Sequence, residues 1–255
     1  MKFGICASID QIETVAQMGY DYLECNISQL AGLSDEEFQD KCLKASQASI
    51  PVSCFNILFP KTMAIIGDGY DAEATSHYLH RAFSRVQALG GEIVVFGSGK
   101  VRNRPENVDF FTAYRQLVEV TRMTGVIAAQ YGVTVVIEPL NRDETNLINS
   151  MAEGAQLVAD VNLPNVKLLT DFFHVAKDGE PVEDVIRIGS FAHVHIAAGK
   201  GRVYPLPGQE EAYPLFFRCL KKIGYDGRIS IEGKTTDMAK DGPAALAFLK
   251  ELAAE

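Results

Sequence analysis

The chain has 255 residues, 47% hydrophobic and 22% charged, with 24 basic against 33 acidic side chains and a net charge of −9. That balance disfavours nucleic acid and anionic membrane surfaces as partners, because both are recognised through a basic face. The composition is ordinary for a globular protein, and no apolar run reaches the roughly 18 residues of a membrane span.

Taken in chain order, the pattern alternates throughout. KFGICAS (2–8) predicts a strand, and residues 9–19 show apolar side chains at helical spacing, with Gly19 as a C-cap. YDYLECN (20–26) predicts a second strand. Residues 34–48 predict a helix, since Ser34 and the acids after it suit a helix N-terminus. Strands at 52–59, 92–99, 133–140, 166–173, 191–198 and 228–233 alternate with helices at 71–90, 107–132, 152–161, 181–189, 211–224 and 243–255. The strands are near-continuous apolar runs, which predicts parallel strands covered on both faces. Eight strand–helix units in this length argue for a closed (β/α)8 TIM barrel, one domain over residues 1–255. A dinucleotide-binding sheet is the weaker reading, since no G-x-G-x-x-G follows the first strand.

The cysteines (Cys6, Cys25, Cys42, Cys54, Cys219) are odd in number and form no C-x-x-C pair. They read as reduced thiols, mostly small buried hydrophobes. The N-terminal MKFGICASID lacks a long apolar stretch followed by a small-residue cleavage site. Together these features predict a cytoplasmic protein.

Chemistry concentrates at the ends of the last four strands. VVIEPLNRDE (135–144), KLLTDFFH (167–174), FAHVHIAAGKGR (191–202) and RISIEG (228–233) each carry a carboxylate or imidazole: Glu138, Asp171, His195 and Glu232. Active sites of such barrels lie at that rim. Taken alone, Glu138 or Glu232 in an apolar strand could be half of a buried salt bridge, because an unpaired charge there is costly. Taken together, three carboxylates and one imidazole make a hard, mostly oxygen donor set. It suits Mn²⁺, Mg²⁺ or Co²⁺ better than Zn²⁺. His193 and His195 share one side of their strand. His195, nearer the rim, is the expected ligand, with His193 a layer deeper. His77 and His80 read as a solvent-exposed helix pair. Arg142, Glu144 and Arg202 lie in the following loops, each by itself an ordinary surface charge. Gly97-Ser98-Gly99 would let a ligand approach the backbone, and Arg102 and Arg104 could face either the site or solvent.

At these residues the sequence resembles the xylose isomerase-like TIM barrel superfamily of sugar isomerases and epimerases. Within it, the chain resembles the ketose 3-epimerases (D-tagatose and D-allulose 3-epimerases) and hydroxypyruvate isomerase, over essentially its whole length. The resemblance implies a divalent ion, Mn²⁺ foremost with Mg²⁺ or Co²⁺ as alternatives, held by Glu138, Asp171, His195 and Glu232. It implies that Glu138 and Glu232 also transfer protons. Glu144, within IEPLNRDETNLIN, His174 of the D-x-x-H and Arg202 would bind substrate. Two departures fall on the loop over the substrate. Ala197 and Ala198 follow His195 where hydroxypyruvate isomerase-like proteins have an acid, and Pro207-Gly208-Gln209-Glu210 lacks the second glycine of the family's P-G-x-G.

The function so implied is metal-dependent 3-epimerisation of a small-molecule keto sugar, by proton abstraction through an enediolate. β-Elimination on the same scaffold, by a dehydratase or C-glycoside-cleaving lyase, is the alternative. An endonuclease IV-like nuclease fits poorly with five histidines and a charge of −9. A non-catalytic sugar-binding protein would not need two carboxylates placed as both ligands and bases. The expected sugar is neutral, since the rims of strands five to eight lack a phosphate nest. The exception is strand four, if Lys100, Arg102 and Arg104 turn inward. Self-association is left open.

Overall fold

The computed structural model describes residues 1–210 and 212–255. Its strands are β1 (Lys2–Cys6), β2 (Tyr22–Asn26), β3 (Val52–Asn56), β4 (Ile93–Phe96), β5 (Thr134–Ile137), β6 (Val166–Asp171), β7 (His193–Ile196) and β8 (Arg228–Ile231). Each pairs in parallel with the next, and β8 pairs with β1, so the sheet closes into a barrel in sequence order. Closure removes both edges and explains why no strand needs a polar outer face. The connecting helices are α1 (Ile12–Gln17), α2 (Ile27–Gly32), α3 (Asp35–Gln47), α4 (Ala72–Ala88), α5 (Phe110–Gln130), α6 (Met151–Val161), α7 (Phe172–Asp178), α8 (Asp184–Ile188), α9 (Tyr213–Lys222) and α10 (Met238–Ala254). The predicted (β/α)8 architecture is the one that forms.

Polar residues start the long helices. Ser34 and Glu37 cap α3 reciprocally, and Asp71, Asp109 and Ser150 cap α4, α5 and α6 through their side chains. The apolar faces of the helices pack on the outward strand residues to form the main core.

Inside the barrel, side chains alternate with period two and fill layers. Tyr22, Cys54, Val95, Val136 and Leu169 form a buried lower cluster, alongside His193 and Ser230, both 0% exposed. Gly4 belongs to this layer for a steric reason: a Cβ there would lie 2.2 Å from the Tyr22 ring. Two residues further along these strands come Glu24, Asn56, Gly97, Glu138, Asp171, His195 and Glu232. The barrel wall therefore delivers one upper layer that is almost wholly polar.

Several boundaries differ from expectation. β5 ends at Ile137 and β8 at Ile231. Glu138 and Glu232 thus lie just past their strands, at the rim, not within them. The sixth strand does not run to residue 173, because Asp171 Oδ1 accepts the Phe173 N–H at 2.9 Å and starts α7. α2, capped by Asn26, was not anticipated. α10 runs back through Pro243 to Asp237, whose carboxylate accepts from Lys240 N. Residue 211, the expected start of the helix over 211–224, lies outside the described residues. All five cysteines are free, with Cys25, Cys54 and Cys219 buried. Among the described residues no helix is long and apolar enough to cross a membrane.

Candidate active site

Glu138, Asp171, His195 and Glu232 each place a donor atom within 4.8 Å of all the others. They come from the ends of β5, β6, β7 and β8, so neighbouring strands, not sequence proximity, bring them together. Each side chain is fixed from outside the cluster. Glu138 fits because Gly97 has no side chain: a Cβ there would lie 1.7 Å from Glu138 Oε2. Asp171 spends Oδ1 on capping α7 and leaves Oδ2 buried with no hydrogen-bond partner. Glu232 Oε1 accepts from Asn56 Nδ2 at 2.7 Å.

His195 is held from below. Its Nε2 lies 2.8 Å from Glu24 Oε1, while its Nδ1 faces Glu138 Oε1 at 3.1 Å and Glu232 Oε2 at 3.3 Å. A carboxylate on Nε2 fixes the hydrogen there and aims Nδ1 at the cluster, as outer carboxylates do for metal-binding imidazoles. The other oxygen of Glu24 sits 2.8 Å from His193 Nε2, so one buried carboxylate supports both histidines. His193 lies a layer deeper, as expected. Sequence reasoning missed Glu24 and Asn56. Glu24 carries the signal that singled out Glu138, a carboxylate within an apolar strand, but on β2.

The electrostatics are those of a site short of positive charge. Burial, then Glu232, pushes Glu138 above the usual carboxylate range. Burial pushes Asp171 up to about 7, against the pull of Arg202. Burial works the same way on Glu232, but His195 and Arg202 overcome it and bring that carboxyl to about 2. Burial opposes a charged His195, yet Glu24 and Glu232 outweigh it and hold the imidazole well above its ordinary value. A divalent cation fits this set. It would give Asp171 Oδ2, which has no hydrogen bond and charged or polar groups only at 3.5 Å, a direct partner, and would offset the crowded carboxylates, with an imidazole nitrogen already presented.

The residues expected to bind substrate surround this cluster. Arg202 Nη2 is 2.5 Å from Glu232 Oε2 and 3.5 Å from Asp171 Oδ2, and its Nη1 is 3.2 Å from Glu144 Oε1. Its guanidinium stacks on Phe173 at 4.6 Å, and its own backbone is left-handed, with φ of 50°. His174 Nδ1 accepts the Asn141 N–H at 3.0 Å. The hydrogen therefore sits on Nε2, which is buried without a hydrogen bond and lies 3.5 Å from Asp171 Oδ2. Burial, then Arg202, lowers this imidazole to about 2, so it is a neutral donor. Glu138, Glu144, Arg202 and Glu232 line a pocket of about 400 Å³ with Ile57, Phe59, Lys61, Gly97 to Val101, Leu140, Asp143, Gly233 and Lys234. Asp171 and His174 line a separate small space of about 10 Å³ with Pro139, Met151 and Glu180.

Other candidates lie elsewhere. Arg102 faces neither ligand nor solvent. It is buried and donates to the carbonyls of Phe96 (3.2 Å), Glu138 (2.7 Å) and Ile148 (3.4 Å). Arg104 donates to the Val108 carbonyl at 2.8 Å, and Arg142 pairs with Asp178 at 2.8 Å. His77 is exposed on α4, but His80 is half-buried and bonded to the Tyr131 hydroxyl at 2.9 Å.

Fold and rim together define a class: a parallel eight-stranded barrel with convergent polar groups at its C-terminal strand ends. The chain belongs to the xylose isomerase-like TIM barrel family, whose model matches residues 12–252. It is 27% identical over 240 residues to an L-ribulose 3-epimerase of Methylomonas sp., covering 89% of this chain and 78% of that protein. It is 28% identical over 228 residues to a D-psicose 3-epimerase of Agrobacterium fabrum, covering 87% and 77%. A crystal structure of a D-psicose 3-epimerase in the presence of D-fructose superposes with a TM-score of 0.87 at 24% identity over 100% of both chains. At that identity the superposition speaks for the fold.

Proposed function

We propose that this protein is a divalent-metal-dependent sugar epimerase that inverts C3 of a keto sugar. The observation that carries the reading is the convergence of Glu138, Asp171, His195 and Glu232 within 4.8 Å at four adjacent strand ends. The epimerase relatives support the same reading. These four residues would hold the ion, with Mn²⁺ the expected metal and Mg²⁺ or Co²⁺ as substitutes. When bound, such an ion polarises the substrate carbonyl as a Lewis acid.

The chain's own groups do the rest. Glu138 and Glu232 come from β5 and β8 and approach the pocket from different sides of the rim. One takes the proton from C3 on one face of the sugar, and the other returns a proton to the opposite face. Negative charge then grows on the substrate oxygens. The Nε2–H of His174 and the guanidinium of Arg202 are the donors that meet it. Glu144, bonded to Asn141 Nδ2 at 3.0 Å and to Arg202 at 3.2 Å, accepts from a sugar hydroxyl and steadies Arg202.

The test is a manganese-reconstituted incubation with a panel of free ketoses in D₂O. The expected product is the C3 epimer with deuterium at C3. Loss of water or of an aglycone would instead establish β-elimination. Unchanged turnover after exhaustive chelation would remove the metal from the account.

A further inference from the structure

We propose that the substrate carries an anionic group, a carboxylate or a phosphate, at the end remote from the reacting carbon, and that Lys61 and Lys100 receive it. This inference rests on the epimerase reading above and adds a substrate class to it. The four metal-type donors occupy the ends of β5 to β8, half of the barrel rim. The pocket runs from Glu138, Glu232 and Arg202 past Gly97, which abuts Glu138, to Lys100 after β4 and to Ile57, Phe59 and Lys61 after β3. A sugar whose reacting carbon lies at the donors therefore points its far end at the β3–β4 rim. Two ammonium groups line that end.

The pocket's acids are already engaged. Glu144 and Glu232 bind Arg202, Glu138 faces His195, and Asp143 pairs with Lys177 at 3.1 Å. Lys61 and Lys100 have no ion-pair partner among the described residues. In a chain with 33 acids against 24 bases, two unpaired lysines at one end of one pocket form a positive spot. A focused field of that kind attracts an anion and offers a neutral polyol little. Ser98 adds a hydroxyl: its Oγ accepts the Phe59 N–H at 2.9 Å, which leaves its hydrogen to donate. Lys234, after β8, also lines the pocket and adds to the positive field. The arginines of the β4 loop are spent on backbone carbonyls, so the expected basic rim exists, but lysines build it.

The test is calorimetric titration of the manganese-loaded full chain with three probes that lack a carbonyl and cannot react: a hexitol, its 6-phosphate and the corresponding hexonate. At least one anion should bind about tenfold or more tighter than the hexitol, about 1.4 kcal/mol. That advantage should shrink as salt is raised. It should fall to within about threefold in the Lys61→Gln/Lys100→Gln double variant, while hexitol affinity stays unchanged. Which anion gains tells phosphate from carboxylate. Equal binding of all three probes, or no anion binding, overturns the proposal. So does an advantage that survives in the double variant, because it would come from the metal, Arg202 or Lys234 and not from these two lysines. A second arm compares kcat/KM for a free ketose, its 6-phosphate and a keto-uronate. Turnover of none of them sinks the epimerase reading, and the binding arm still decides the role of the lysines. Turnover of the free ketose with no preference for an anion leaves the epimerase standing and removes this inference.

Discussion

Single side chains set the chemistry of the rim, and Glu24 is the least obvious of them. It is fully buried, and two imidazoles outweigh its burial and hold it well below the usual carboxylate range. It therefore fixes which nitrogen of His195 faces the cluster without touching the pocket. Glu24→Gln should weaken Mn²⁺ affinity by about 10–100-fold, the usual cost of losing an outer carboxylate. Competition with a fluorescent chelator measures this, and wild-type affinity would reduce Glu24 to a packing residue. Glu138→Gln and Glu232→Gln keep the shape and remove the proposed base. Each should lower kcat by about 10²–10⁴, before any loss of metal. Single-turnover rates at saturating Mn²⁺ separate the two effects, and a variant that turns over normally with metal bound cannot be the one that moves the proton.

Elements turn these residues toward one another. β6 ends at Asp171 because that side chain also starts α7, so one carboxylate serves helix and cluster. Asn is as good a cap as Asp. Asp171→Asn should therefore leave the metal-free protein within about 1 kcal/mol of wild type and abolish stabilisation by Mn²⁺. Urea melts with and without metal read both quantities, and metal stabilisation that persists would exclude Asp171 as a ligand. Arg102 acts at the same scale. Burial brings its guanidinium down to about 10, yet it ties the β4 loop to the carbonyls of Phe96, Glu138 and Ile148. Arg102→Met would take away the Glu138 carbonyl's donor, at about 1–3 kcal/mol, while the Phe96 and Ile148 carbonyls keep the N–H groups of Glu138 and Leu140. A urea midpoint equal to wild type would refute the bracing role.

On the proposed reading, the whole barrel couples folding to metal binding. Without an ion the upper layer crowds carboxylates that only His195 and Arg202 offset. Mn²⁺ at a hundred times its Kd should stabilise the protein by about 2.7 kcal/mol. For a chain of this size that is roughly 5–10 °C in Tm. Affinity should also rise from pH 6 to 8. Asp171 titrates near 7 in the metal-free protein and His195 holds its proton beyond that, so both must release protons before they can bind. Affinity measured across that range checks the sign, and a flat profile would mean that neither group is a ligand.

The sequence by itself determined the barrel, because eight apolar runs alternating with helical periods have few other ways to bury both faces. It also marked Glu138, Asp171, His195 and Glu232, since charge at the end of an apolar strand is visible locally. Boundaries were less legible. α7 begins where Asp171 turns back to cap it, and that hydrogen bond has no signature in hydrophobicity. Only the tertiary structure decided how the upper layer is supported. Glu24 under His195 and Asn56 on Glu232 are held by residues 171 and 176 positions away in the chain. Barrel closure creates those contacts, and no local pattern encodes them. The same holds for Arg102, which the sequence left between site and solvent, and for Lys61 and Lys100, which share a pocket wall only because β3 and β4 are neighbours in the ring.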